Sequence, residues 1–194
     1  DQALKRPILF QQIDQRLLAE ESEYIRFFGR LGQGGTPLSQ DELTYSIIKH
    51  HYPYVHDRMS EIMEGQAGRL ASEVHLVLGA IRVAKVQSAW RPDNRRELTS
   101  RPNPGFVSRL KDHPEVETVF SAMIPASGTG GLRPSLEGIR ARLVYDLERN
   151  PSGLPVMLLA RMPHELVDVL LLLADVPEGD DCDLLPAFAL HWLH

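Results

Sequence analysis

Residues 69–86 read RLASEVHLVLGAIRVAKV, the most regular stretch of the sequence. Its apolar side chains recur at intervals that place them on one face of an α-helix, at Leu70, Val74, Val77, Leu78 and Ile81. Leucine is also more frequent along the chain than valine and isoleucine together, and clean period-two alternation is scarce. The sequence therefore predicts a mainly all-α fold with this helix as its clearest element.

Further helices are predicted on both sides of this stretch, and the 14 prolines should keep them short. Ser39 and Glu42 form the S-x-x-E pattern of a capping box, which predicts a helix that starts there and ends before Pro53. Residues 8–10 are compatible with a short strand as well as with a helix. We expect eight to ten short helices in all, the others at about 20–31, 54–63, 105–112, 115–124, 134–150, 156–161, 163–175 and 184–193.

Composition excludes several classes of protein. With 43% hydrophobic and 24% charged residues the chain is not globally disordered, and no apolar run approaches the ~18 residues of a membrane span. Cys182 is the single cysteine, which excludes an internal disulfide framework and a multi-cysteine zinc site and is compatible with the cytoplasm, the expected compartment. The net charge of -5 means that the chain as a whole is not a generic binder of polyanions.

Residues 28–43, FGRLGQGGTPLSQDEL, carry a family resemblance. They resemble the F-x-R-L-N-x-G-G-T-P-L-S-x-x-E-L stretch of GmrSD-type, ParB-like proteins of bacterial restriction and phage defence. Gly32 stands where that family has asparagine. The positions that carry the resemblance are Phe28, Arg30, Gly34, Gly35, Leu38, Ser39 and Glu42.

The resemblance implies a helical region downstream of a ParB-like nucleotidase domain. Full proteins of that family couple NTP hydrolysis to DNA cleavage through a partner HNH nuclease domain. The family's D-G-Q-Q-R motif is not found before Phe28, and residues 64–69, EGQAGR, are interpreted as a helix junction rather than a copy of it. We therefore expect a fragment that starts after the catalytic half, without catalytic residues, cofactor or metal site of its own.

Three regions are expected along the chain. Residues 1–86 would be the helical region that follows the ParB-like domain and contains the motif 28–43, residues 87–104 a basic linker or loop, and residues 105–194 a second helical region.

Charge is distributed unevenly between these regions. Residues 82–111 contain eight bases and two acids, whereas residues 164–183 contain seven acids and no base. With Trp90 as a stacking aromatic, the basic stretch is a candidate nucleic-acid surface. The alternative is a solvated basic loop that is neutralised by the acidic part of this chain or of a neighbouring one. The candidate contacts are Arg91, Arg95, Arg96 and Arg101.

The preferred function is a non-catalytic helical segment that positions DNA or partner domains, such as a nuclease domain. A self-contained helical interaction module that docks partners or forms a homo-oligomer is the alternative. A hydrolase that uses His50, His51, His56 and Asp57 is a third hypothesis, although their spacing does not place two imidazoles on one helical face. His75 is expected to be hydrogen-bonded at the edge of the core, and the leucine-rich residues 166–173 to form a centrally buried helix.

Overall fold

The structure, a computed structural model, describes residues 38–64, 70–159, 162–174 and 184–192. The chain divides into two compact units, residues 1–38 and 39–194. In its described part the second unit is all-α, as predicted, with isolated bridges as its only β-pairing. Its α-helices are α1 (Gln40–His51), α2 (Tyr54–Glu64), α3 (Glu73–Gln87), α4 (Arg96–Thr99), α5 (Pro104–Ser108), α6 (Pro114–Met123), α7 (Leu132–Leu143), α8 (Val156–Leu159), α9 (His164–Leu173) and α10 (Leu184–Trp192), with a 3₁₀ turn at Leu110–Asp112.

Helix α3 lies at the centre of this unit. It packs against α1, α4, α6 and α9, and every residue from Leu76 to Ile81 is buried. The helix is predicted to begin at residue 69, but α3 begins at Glu73 because Ser72 accepts the His75 N–H and caps the first turn. The apolar stripe visible in the sequence is therefore the face that organises the core.

The start of α1 confirms the capping box. The Ser39 Oγ accepts the Glu42 N–H at 3.2 Å, and Glu42 Oε2 accepts the Ser39 N–H at 2.8 Å. Pro53 follows the helix end at His51, and α2 begins at Tyr54, as the sequence predicts. The predicted helix at 20–31 and the possible strand at 8–10 lie outside the described residues.

Helix α9 is the leucine-rich helix, and central burial is confirmed. Leu166, Leu170 and Leu171 are buried where α9 packs on α3 and α7. Asp168, one of the two acidic residues of this helix, is buried as well, whereas Glu165 is exposed. None of the described helices combines the length and apolarity that crossing a membrane requires.

The prediction for residues 134–150 is wrong at its C-terminal end. Helix α7 stops at Leu143, and Leu147, assigned to its apolar face, is 76% exposed. The cause is Asp146, whose Oδ1 accepts the N–H groups of Glu148 and Arg149 and so holds a tight turn. Local capping by an aspartate therefore overrides the helical period.

The prediction of a loop without regular structure at residues 87–104 is wrong for the one-turn helix α4 at Arg96–Thr99. Helix α3 before this segment packs directly against α6 and α9 after it. The two helical halves, before and after residues 87–104, therefore contribute to one core.

The predicted helix at 105–112 is divided at Arg109 into α5 and the 3₁₀ turn.

Candidate functional site

The basic segment, residues 88–113, begins at the end of α3 and contains a second helix cap before α5. At its start the Ser88 N–H donates to Ala84 O at 2.9 Å and closes α3. Further on, Asn103 Oδ1 accepts the Phe106 N–H at 2.9 Å and caps α5, where Pro104 occupies the first turn. The caps fix where the segment leaves and re-enters the helical core.

Three rings of this segment form an aromatic cluster. The Trp90 ring lies 5.5 Å from Phe106 and 5.2 Å from His113, and the Phe106 and His113 rings stack at 5.3 Å with an 8° angle. Trp90 is half-buried by these contacts. Its ring thus joins the two ends of the basic segment, and its packing inside the protein competes with the nucleic-acid stacking proposed for it.

Lys85 lies under the same rings as a buried cation. Its Nζ donates to Ser100 O at 2.9 Å and to Ser100 Oγ at 3.1 Å, and lies 4.9 Å from the Phe106 ring centroid. The residue is 2% exposed, and burial lowers its pKa to about 8 although Glu97 opposes that shift. These bonds tie α3 to the end of α4.

Three of the four predicted nucleic-acid contacts, Arg91, Arg95 and Arg96, are exposed. The Arg91 guanidinium bonds to the carbonyl oxygens of Ser88 and Trp90 at 2.9 and 2.8 Å. In the part of the chain that the structure describes, no carboxylate lies within 4.0 Å of the guanidinium groups of these three residues. Their charge is available to an external anion.

Arg101, the fourth candidate, has a different environment. Its Nη2 lies 2.9 Å from Asp41 Oδ2 and its Nη1 lies 2.9 Å from His164 Nε2. The side chain therefore joins the first turns of α1 and α9, and part of its charge is compensated within the protein. From the sequence alone Arg101 is grouped with the exposed arginines, because its partners Asp41 and His164 are distant in the chain.

His75 lies in the same polar cluster at the edge of the core, as predicted. Its ring stacks on His164 at 4.6 Å, and its Nδ1 lies 3.0 Å from Ser72 Oγ. Burial lowers the pKa of His75, and the neighbouring His164 and Arg101 lower it further, whereas Asp41 and Glu165 oppose this. The neutral imidazole is the form that suits this position.

Ser72, His75 and Asp41 superficially resemble a hydrolase triad. The His75 Nε2 lies 3.9 Å from Asp41 Oδ2, however, beyond hydrogen-bond distance, and Arg101 already pairs with that carboxylate. The Ser72 Oγ caps α3. This arrangement orients helices rather than activating a nucleophile.

The acidic part of the chain neutralises one member of the basic stretch. Arg82 Nη1 donates to Asp168 Oδ2 at 2.7 Å, which explains a carboxylate on the apolar helix α9. Burial raises the pKa of Asp168, and Arg82 counteracts this. The compensation that the sequence suggests as an alternative therefore operates at Arg82, where α3 packs on α9.

The histidines considered for hydrolysis do not converge on a metal geometry. His56 Nδ1 lies 3.3 Å from Glu73, while the rings of His50 and His51 meet edge to face at 5.3 Å. Among the described residues there is no group of three or more His, Cys, Asp or Glu side chains that could hold a metal ion.

The residues of the family motif are described only in part. Phe28, Arg30, Gly34 and Gly35 lie outside the described residues, as do Cys182 and residues 65–69 of the segment interpreted as a helix junction. Leu38 is exposed, and Ser39 and Glu42 form the cap of α1.

Lys85 is the site residue that sequence reasoning misses, although a signal for it exists. It lies four positions after Ile81 and so continues the apolar stripe of residues 69–86. A lysine inside a core-facing stripe is rarely buried without a specific partner. The position of Lys85 in this stripe therefore indicates a buried lysine with a specific polar partner.

Comparison with known proteins adds no further assignment. No protein-family model, no curated protein and no solved structure matches the chain. The function proposed for it rests on the geometry of its basic segment and on the resemblance of residues 28–43 to the GmrSD-type family.

Proposed function

We propose that this chain is a non-catalytic helical segment that contacts DNA through the exposed arginines of the basic segment, and so positions DNA for an NTP-dependent nuclease of the GmrSD type. The observation that carries this proposal is a group of exposed arginines on one short stretch of chain. Among the described residues, Arg91, Arg95 and Arg96 are exposed and have no carboxylate partner, whereas Arg58 and Arg133 pair with Glu61 and Glu137.

The local charge favours this contact despite the overall charge of -5. Salt screens exposed charges over about 10 Å at 0.1 M, so a phosphate at the basic segment is influenced mainly by the charges nearest to it. Guanidinium groups suit phosphate because they present several donors in a planar fork.

The anchoring of the segment also supports the proposal. The Lys85–Ser100 bonds tie the middle of the segment to α3, and the packing of Trp90 on Phe106 ties its start to α5. Arginines on a preorganised segment lose less conformational entropy when they bind than arginines on an unanchored loop. We therefore expect a weak, sequence-independent contact with the DNA backbone.

Titration with labelled duplex DNA at low salt tests the proposal. The triple variant Arg91→Gln/Arg95→Gln/Arg96→Gln should bind at least about tenfold more weakly than the unmodified chain. The matched control is Arg58→Gln/Arg133→Gln/Arg149→Gln, which removes the same charge elsewhere and should retain binding. If the unmodified chain shows no salt-dependent binding, or both triple variants bind equally, the DNA role is excluded.

A second candidate function, a helical interaction or oligomerisation module, is favoured by exposed apolar side chains after α7. Leu147 is 76% exposed and Met157 is 82% exposed. Where such side chains form one contiguous patch, the patch can mark a protein contact. Size-exclusion chromatography with light scattering at low and high salt tests it, since an apolar contact should persist at high salt.

A further inference from the structure

A polar pocket of about 170 Å³ lies where the basic segment meets the C-terminal half of α3. Its walls combine cationic, hydroxyl and aromatic groups with one carboxylate. The residues that matter for its chemistry are Lys85, Glu97, Ser100, Arg101, Phe106 and Arg109.

The cation in the pocket wall, Lys85, has an unusual environment. It is 2% exposed, yet among the described residues no carboxylate lies within 4.0 Å of its Nζ. The groups that accept from it, Ser100 O and Ser100 Oγ, are neutral. Burial lowers the pKa of Lys85 and the attraction of Glu97 opposes this only in part, so a bound anion would stabilise the ammonium further.

Two arginines extend the positive field around the pocket. Arg101 is partly compensated by Asp41, 2.9 Å away. Arg109 is exposed, and its Nε donates to Gly105 O at 3.3 Å, which holds the stem of the side chain along α5. Glu97 is the opposing charge in the lining, so the pocket has a net positive character.

We infer that this pocket binds a phosphate group, with Lys85 and Arg109 as its principal cationic contacts and the Ser100 hydroxyl beside them. Phosphate fits better than a carboxylate because its oxygens can accept from donors in several directions, and this pocket offers the N–H donors of an ammonium and of a guanidinium together. The inference goes beyond the proposed function, since phosphate can fill the pocket whether or not Arg91, Arg95 and Arg96 bind DNA.

The affinity should depend on pH in a defined direction. The pKa of Lys85 is about 8, so the ammonium is present at pH 7 and is lost as the pH rises through that value. Phosphate itself becomes more negative over the same range, so a loss of affinity above pH 8 would report the lysine. Binding should therefore weaken between pH 7 and pH 9.

The test is isothermal titration calorimetry with inorganic phosphate, with chloride at equal ionic strength as reference. The unmodified chain should show saturable binding, which Lys85→Met and Arg109→Gln should each weaken at least tenfold. Glu97→Gln should tighten it several-fold because the repelling carboxylate is removed. Arg133→Gln is the matched control on α7 and should leave the affinity unchanged.

Arg109 is exposed, so Arg109→Gln keeps the inference testable even if Lys85→Met fails to fold. The absence of saturable phosphate binding, or equal affinity in Arg109→Gln and the unmodified chain, would overturn it.

A competition experiment identifies the source of the phosphate. If duplex DNA competes with inorganic phosphate, the pocket takes a backbone phosphate; if it does not, the pocket takes free phosphate or a small phosphomonoester. The triple variant of Arg91, Arg95 and Arg96 should keep phosphate binding while it loses DNA binding, which separates this inference from the proposed function.

Discussion

Arg82 on α3 and Asp168 on α9 form an ion pair, with 2.7 Å between Nη1 and Oδ2. The Arg82 side chain is 26% exposed and the Asp168 side chain is 12% exposed. It crosses the interface between the central helix and the leucine-rich helix. Gly79, one turn before Arg82, leaves the space that Asp168 occupies, because a Cβ on that glycine would lie 2.5 Å from Asp168 Oδ1. The Arg82–Asp168 ion pair and the small size of Gly79 together allow the close contact between α3 and α9.

Breaking this pair from one side should destabilise the fold. We expect Arg82→Met to lower the free energy of unfolding by about 2–3 kcal/mol, because it leaves the Asp168 carboxylate buried without its partner. The double variant Arg82→Met/Asp168→Leu should recover to within about 1 kcal/mol of the unmodified chain, since neither charge then remains. Urea denaturation of the single and double variants measures both values; a single variant as stable as the unmodified chain would show that the pair contributes nothing.

Gly79 and Gly138 should respond in opposite directions to the same substitution. Gly79→Ala should destabilise by about 1–3 kcal/mol, because its Cβ would displace Asp168. Gly138→Ala on α7 is the control, since a methyl group there would have no neighbouring atom within 4 Å and alanine is the better helix former by about 0.5–1 kcal/mol. Thermal unfolding of the two variants checks the sign, and a loss of stability at both positions would contradict this account.

The features that can be predicted from the sequence are those that depend on near neighbours. Ser39 and Glu42 lie three residues apart, so their capping box is correctly predicted, and the 3.6-residue period identifies the buried face of α3. The failure at Leu147 is also local, because the turn at Asp146 competes with the helix. The pairing of Arg101 with Asp41 and His164 spans some sixty residues in each direction and leaves no periodic signal. The same is true of the pocket around Lys85, which exists only once residues 97–109 fold back on α3.

His75 should make the stability of the fold depend on pH. Its pKa is lowered from 6.5 in the folded chain, so the unfolded chain binds more protons and stability falls as the pH drops below about 6.5. The size of this loss of stability depends on the charged and titratable neighbours of His75, which are His164, Arg101, Asp41 and Glu165. In urea denaturation at pH 7 and pH 5, His75→Gln should lose less stability on acidification than the unmodified chain. A steeper loss in His75→Gln would contradict the lowered pKa.

The salt dependence of DNA binding should report how many arginines contact phosphate groups of the DNA. Each phosphate that is neutralised contributes about 0.9 to the slope of log K against log salt, so Arg91→Gln/Arg95→Gln/Arg96→Gln should reduce that slope by about 2.7 if all three contact phosphates. Fluorescence anisotropy with one labelled duplex between about 50 and 200 mM salt measures the slope. The Arg58→Gln/Arg133→Gln/Arg149→Gln control has the same net charge and should keep the slope of the unmodified chain, because two of its arginines already pair with Glu61 and Glu137. Equal slopes in the two triple variants would mean that overall charge, and not the basic segment, governs the contact.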